Sequence, residues 1–174
     1  GSDRPGIVAG LTDALLELGA NLEDCRAALL RGSFAMVMAI EVPEGVSEQR
    51  VHEALAAPAN ALGLRIWVGE TSGAVDDAGE HCVVSVYGAD HPGIVSAVAR
   101  AMADRAVNII DLSSRTVGDP PVYVLGIEAQ LPPGMAVAAL EAALAPVAAA
   151  QQVNVSVAAA ADEDLRAHAR LRLA

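Results

Sequence analysis

The chain has 174 residues, 53% of them hydrophobic but only 2% aromatic, and 22 acids against 11 bases give it a net charge of −11. That charge opposes the phosphate attraction behind most nucleic-acid binding, and two distant cysteines, Cys25 and Cys82, exclude a disulfide-stapled scaffold and offer no zinc spacing. No apolar run reaches the length of a membrane span and no signal peptide opens the chain, so a cytoplasmic protein with no membrane partner is expected.

In chain order, Gly1-Ser2-Asp3-Arg4-Pro5-Gly6 is a loop that opens a helix. Proline suits the first helical position because its missing N–H would be unpaired there. Ile7, Leu11, Leu15 and Leu18 keep one apolar face, and Gly19 ends the helix. A strand over about Ala20–Leu29, a turn at Arg31-Gly32-Ser33 and a return strand over Phe34–Val42 form a hairpin. Ser47 caps a second helix to about Ala57, and Leu64, Ile66 and Val68 mark a half-buried closing strand. Residues 71–80 are small, polar and acidic, and predict a linker.

The same order then repeats. His81–Tyr87 is a β-branched run, hence a strand, and Pro92-Gly93 opens a helix carrying Ile94, Val98 and Met102 on one face. Strands over Val107–Val117 and Val122–Ala129 flank a turn at Gly118-Asp119-Pro120. A helix over Met135–Leu144 and a strand marked by Val153, Val155 and Val157 complete the half. Cys25 and Cys82 are expected as small buried strand residues, and Met36 and Met38 as packing on one sheet face.

At an offset of 87, half the chain length, nine of the 24 positions from Gly1 to Asp24 are identical to those from Gly88 to Asp111. The order β-α-β-β-α-β predicts an α+β chain of two ferredoxin-like βαββαβ domains, at 1–70 and 81–158, with antiparallel sheets and helices on one face. The first half lacks a counterpart of His81–Tyr87. That strand is central in this fold, and its omission leaves two rows of backbone groups without partners. Within the tail, 159–174, Leu165–Ala174 alternates apolar and polar residues and, read on into Gly1, reproduces the strand–loop order. Either residues upstream of Gly1 supply the missing strand or another segment does, and the tail is the candidate, within the chain or from a neighbour. A C-terminal helix is the alternative, favoured by Ala, Leu and Arg propensity and by Asp162-Glu163-Asp164 at its start and Arg170 and Arg172 near its end.

The Gly-x-Asp-x-Pro-Gly-Ile-Val loop, the helix after it, and then Gly19–Asp24 or Ala106–Asp111 resemble the ACT domain, a small-molecule-sensing module. Two such units with nothing catalytic attached, together with Leu30–Met36, are similar to the glycine cleavage system transcriptional repressor family. The resemblance implies a non-enzymatic regulator with no cofactor. It would bind an amino acid or similar small effector at interfaces between ACT units, form a homodimer and act on a protein partner. The alternative is a regulatory or docking module of a metabolic enzyme, with no ligand of its own.

The candidate ligand-binding residues are Asp3, Arg4, Pro5, Gly6, Asn21 and Asp24, with Asp90, His91, Pro92, Gly93, Asn108 and Asp111 in the second half. A helix N-terminus offers free N–H groups to a carboxylate, and glycine there lets a ligand approach closely. Asp3 and Asp90 suit an ammonium, and Asn21 and Asn108 offer both donor and acceptor. Plainer roles stand beside these. The aspartates before the prolines could cap their helices, the asparagines could end a helix in left-handed conformation, and Asp24 and Asp111 could simply face solvent. His91 could be an exposed loop histidine. His52, His81 and His168 are scattered, and no metal or catalytic set is apparent.

Overall fold

Antiparallel hairpins of consecutive strands occur in both halves, and in the second half a further strand pairs across the chain. The computed structural model describes residues 1–71 and 79–160, which divide into two units, Gly1–Gly73 and Ala74–Ala174. The tail at 165–174 and most of the linker at 71–80 lie outside the described residues.

Unit 2 runs β3 (His81–Gly88), α3 (Ile94–Ala103), β4 (Asn108–Val117), β5 (Val122–Gln130), α4 (Val137–Ala150) and β6 (Val153–Ala159). Its sheet has the order β4-β5-β3-β6, with every pair antiparallel. The β-branched run of β3 therefore lies between two partners. Alternate residues Cys82, Val84 and Val86 join Leu125, Ile127 and Ala129 of β5 in a core closed by Ile94, Val98 and Met102 of α3 and Leu140 and Leu144 of α4. All of these are 0–1% exposed. Small aliphatic side chains suffice because the core is a single layer between sheet and helices.

Unit 1 contains α1 (Ile7–Glu17), β1 (Asn21–Leu30), β2 (Ser33–Glu41) and α2 (Glu48–Leu62). Among the described residues its sheet is the β1-β2 hairpin alone. Ile7, Leu11, Leu15, Val51 and Leu55 are buried, but their sheet partners Phe34, Met36, Met38 and Ile40 are only partly buried. Leu64, Ile66 and Val68 pack on the same cluster and alternate with exposed neighbours, yet they form no ladder. The expected strand at 64–68 is thus not formed, since no strand among the described residues lies beside it to pair with. Between β2 and residues 64–71 lies a cavity of about 530 Å³ with Met36, Met38, Ile66 and Gly1 among its walls.

Several expectations change. Pro5 and Pro92 do not open their helices; each precedes the N-cap, which is Gly6 at φ 92° or Gly93 at φ 104°. Neither Asp3 nor Asp90 caps, since no side chain bonds either helix start. Ser47 does cap α2, its hydroxyl accepting from the Arg50 N–H at 3.3 Å. Both α2 and α4 run well past their expected ends, through Pro58 and Pro146. The apolar stripe continues beyond each proline, through Ala59 and Leu62 or through Val147 and Ala148, and its burial offsets one lost backbone hydrogen bond. Cys25 is exposed rather than buried because β1 is an edge strand open along its length. Cys82 is buried, and burial first, then the nearby Glu80 charge, pushes its thiol pKa up. Met36 and Met38 pack from one sheet face as expected. No helix among the described residues is long and apolar enough to cross a membrane.

Leu125→Ala is expected to destabilise unit 2 by about 2–5 kcal/mol, the cost of a cavity in a closed core. Leu29→Ala, on the open edge strand and 58% exposed, should cost less than about 0.5 kcal/mol. Urea denaturation of the two variants checks the contrast.

Candidate functional site

Each loop hangs on the end of a sheet and turns straight into a helix. Gly6 and Gly93 adopt left-handed backbone, which an L-residue with a Cβ disfavours. Their carbonyls accept the first helical bonds, from Gly10 and Ala97 at 2.9 Å. The amides of the first turn have no partner within the helix, and neither α1 nor α3 has an acid in that turn. Each helix therefore presents its positive end, with only the loop aspartate nearby in sequence.

Fixing the loops is a matter of backbone contacts. The Asp3 N–H donates to the Gly32 carbonyl at 3.0 Å, and Ser2 bridges to Ser33, so the first loop lies against the β1-β2 turn. His91 fastens the second loop to the turn after α4. Its Nε2 lies 2.7 Å from the Gln151 carbonyl oxygen and its Nδ1 lies 3.1 Å from that of Pro92. His91 is consequently half-buried, not a free loop histidine. Two carbonyls facing one ring hold both ring N–H groups only when the imidazole is charged, so its pKa is raised, by Gln151 first, then Pro92, with Asp90 adding a smaller contribution. In unit 1 Arg4 takes the corresponding place, its guanidinium beside Gly63 at the end of α2.

Asn21 and Asn108 begin β1 and β4, exposed and extended. They do not terminate helices in left-handed conformation; Gly19 at φ 74° and Ala106 at φ 56° do that two residues earlier. Asn108 lines a small cavity of about 190 Å³ with Ala106, Gln130 and Leu131. Three residues on, both strands carry the same bulge, between Leu22 and Asp24 and between Ile109 and Asp111. Asp24 is exposed and accepts from the Cys25 N–H at 2.7 Å. Asp111 is half-buried opposite Glu128.

The candidate residues therefore form two groups in each unit. The loops, 3–6 and 90–93, sit at the hairpin-turn end of the sheet, while Asn21, Asp24, Asn108 and Asp111 sit at the other end. A ten-residue strand separates them by about 30 Å. No single unit brings loop aspartate and strand asparagine together. The bulges and the Gln151 carbonyl were not foreseen from sequence; a bulge is a property of pairing, and a backbone carbonyl has no side-chain signature. Among the described residues no three His, Cys, Asp or Glu side chains gather as a metal set.

Comparison with known proteins follows this geometry. Residues 1–69 and residues 83–132 each match a family model described as ACT domain. A UPF0237 protein of Methanopyrus kandleri is 44% identical over 69 residues, which are 39% of this chain and 77% of that relative. Phosphoserine phosphatase SerB2 of Mycobacterium tuberculosis is 29% identical over 161 residues. That match takes in 90% of this chain, which spans only 38% of the enzyme. A crystal structure of a proposed glycine cleavage system transcriptional repressor superposes with a TM-score of 0.69 at 23% identity, covering 91% of both chains. At that identity the likeness is one of fold, and it extends over both units.

His91 is expected to titrate above the ordinary imidazole value of 6.5. Because the folded pKa is the higher one, the contribution of His91 to stability is full below the unfolded value and is lost as pH rises through the folded value. Proton NMR of the imidazole gives the pKa, and His91→Asn should flatten the melting temperature across that interval.

Proposed function

The chain belongs to the ACT domain family, and from that premise we propose that it is a non-enzymatic sensor of a small amino acid that regulates a protein partner. The observation that carries this reading is the duplicated loop on a left-handed glycine cap, with free helix amides and no acid in the first turn. A ligand carboxylate suits those amides, and its ammonium suits Asp3 or Asp90.

The separation of loop and asparagine within a unit argues for a site completed between copies. Among the described residues β1 and β4 each have a strand partner on one side only. When the same edge strand of two copies pairs antiparallel, the start of one lies beside the end of the other. Asn108 of one copy then approaches the end of the sheet where the other carries Asp90 and Gly93. A homodimer is thus part of the proposal.

A second reading is favoured by the 161-residue match to the phosphatase. Under it, the two units are a regulatory or docking module of a metabolic enzyme and bind no ligand themselves.

Titration calorimetry with each of the twenty amino acids separates the two. Under the sensor reading one of them gives saturable heat, and Asp90→Ala or Asn108→Ala weakens it by about tenfold or more, since hydrogen bonds to charged groups contribute about 1.5–3 kcal/mol each. Absence of heat with all twenty, with no rise in melting temperature, leaves the docking reading standing and defeats the sensor.

A further inference from the structure

The two duplicated loops are fastened by different chemistry. In unit 1 the backbone does it: the Asp3 N–H donates to the Gly32 carbonyl at 3.0 Å and Ser2 bridges to Ser33, so the loop is stitched to the turn of its own hairpin. In unit 2 the hairpin turn, 118–121, gives the loop no such bond among the described residues. β3 holds the start of that loop, since Gly88 pairs with both Tyr123 and Val153. α3 holds its end, where the Gly93 carbonyl accepts from Ala97 at 2.9 Å. Between them Ala89, Asp90 and Pro92 are exposed, and only His91 is half-buried. Its ring ties the middle of the loop to the turn after α4, at 2.7 Å from the Gln151 carbonyl oxygen.

That tie depends on the charge of the ring. Nε2 faces the Gln151 oxygen at 2.7 Å and Nδ1 faces the Pro92 oxygen at 3.1 Å, and a carbonyl can only accept. A neutral imidazole has one N–H for the two of them, and its lone pair then faces the other oxygen at close range. Losing the proton turns one attraction into a repulsion, so the ring must leave one carbonyl. Asp90, on the loop itself, is the charge that acts on the ring, and it favours the protonated form. Asp119 in the hairpin turn and Arg115 near the end of β4 are exposed. The elements that meet the loop bring no further charge: Gln151 and Gln152 form the turn after α4, and Ile94, Val95 and Ser96 the first turn of α3. In unit 1 the place of His91 belongs to Arg4. A guanidinium nitrogen of Arg4 stands 3.5 Å from where a Gly63 Cβ would be, and that group keeps its charge at any ordinary pH.

We propose that the unit 2 loop is a proton-operated latch, closed on the α4–β6 turn while His91 is charged and released when it is neutral, and that the unit 1 loop is its permanently closed counterpart. The direction follows from the contacts. Acid holds the loop, and raising the pH frees it over the interval in which the imidazole titrates. The released segment carries Asp90 and leads directly into the first-turn amides of α3. On the sensor reading, and resting on it for this step alone, one of the two effector sites is preorganised only below that interval, while the other is indifferent to pH. A chain with two such sites responds to effector and acidity together. The latch itself needs no effector.

Backbone amide relaxation, measured by NMR on the full chain across the imidazole titration, tests the latch. Order parameters of Ala89, Asp90, His91 and Gly93 should stand near the rigid value of about 0.85 while the ring is protonated and fall below about 0.6 once it is neutral. Those of Asp3, Arg4 and Gly6 should stay unchanged. The fall should track the His91 ring resonances in the same samples. His91→Arg should keep the loop ordered throughout, and His91→Ala should leave it mobile throughout. An unchanged wild-type loop, an equal loss of order in the unit 1 loop, or a midpoint that departs from that of the imidazole overturns the proposal. So does a His91→Arg loop that still loosens as the pH rises. The wild-type comparison stands whether or not either variant folds. No amino acid is added in any of these measurements, so the latch and the sensor reading fail separately.

Discussion

β3 is paired along both of its edges, and unit 2 depends on that double pairing. A strand between two partners has every backbone group satisfied in the sheet, so its side chains can be apolar on both faces without cost. Cys82, Val83, Val84 and Val86 are buried on that account. The loop that follows inherits its position from the end of this strand. Gly88 lies so close to Val153 that a Cβ would stand 2.9 Å from its side chain, and from there five residues carry the chain to the cap at Gly93. His91 then fastens the loop to the turn between α4 and β6 through Gln151.

Among the described residues unit 1 has the same frame without that strand, and the contrast shows what the strand supplies in unit 2. α1 and α2 form and pack in its absence, since Ile7, Leu11, Leu15, Val51 and Leu55 bury one another. The hairpin forms too, because its pairing is local. Long-range pairing is what differs: among the described residues β2 meets only Gly1 and Ser2 on its second edge, residues 64–68 form no ladder, and the sheet side of the core is half-buried. An exposed row of N–H and C=O groups beside apolar side chains is a template for another strand.

Much of this was legible in the sequence because the chain states it twice. A single Pro-Gly turn means little, but Gly6 and Gly93 recur at one offset with the same apolar spacing behind them, and both prove to be left-handed caps. Asn21 and Asn108 were found by the same repetition, though not their distance from the loops. Local rules failed where tertiary packing overrode them. Pro58 and Pro146 read as helix ends, yet buried residues beyond them keep each helix going. Cys25 reads as a core residue by composition, but only the sheet order reveals that β1 is an edge. His91 differs again: its partner, a carbonyl 60 residues away, leaves no trace in the local sequence.

The matched bulges at the starts of β1 and β4 reach further than their own strands. A bulge breaks the even spacing of backbone groups along an edge and adds local twist. A second strand docking there can extend its ladder from the hairpin turn only as far as the bulge. Long open edges normally tolerate a family of alignments two residues apart, some of which propagate without end. A fixed stop selects one alignment, and that favours a closed pair over a growing fibre.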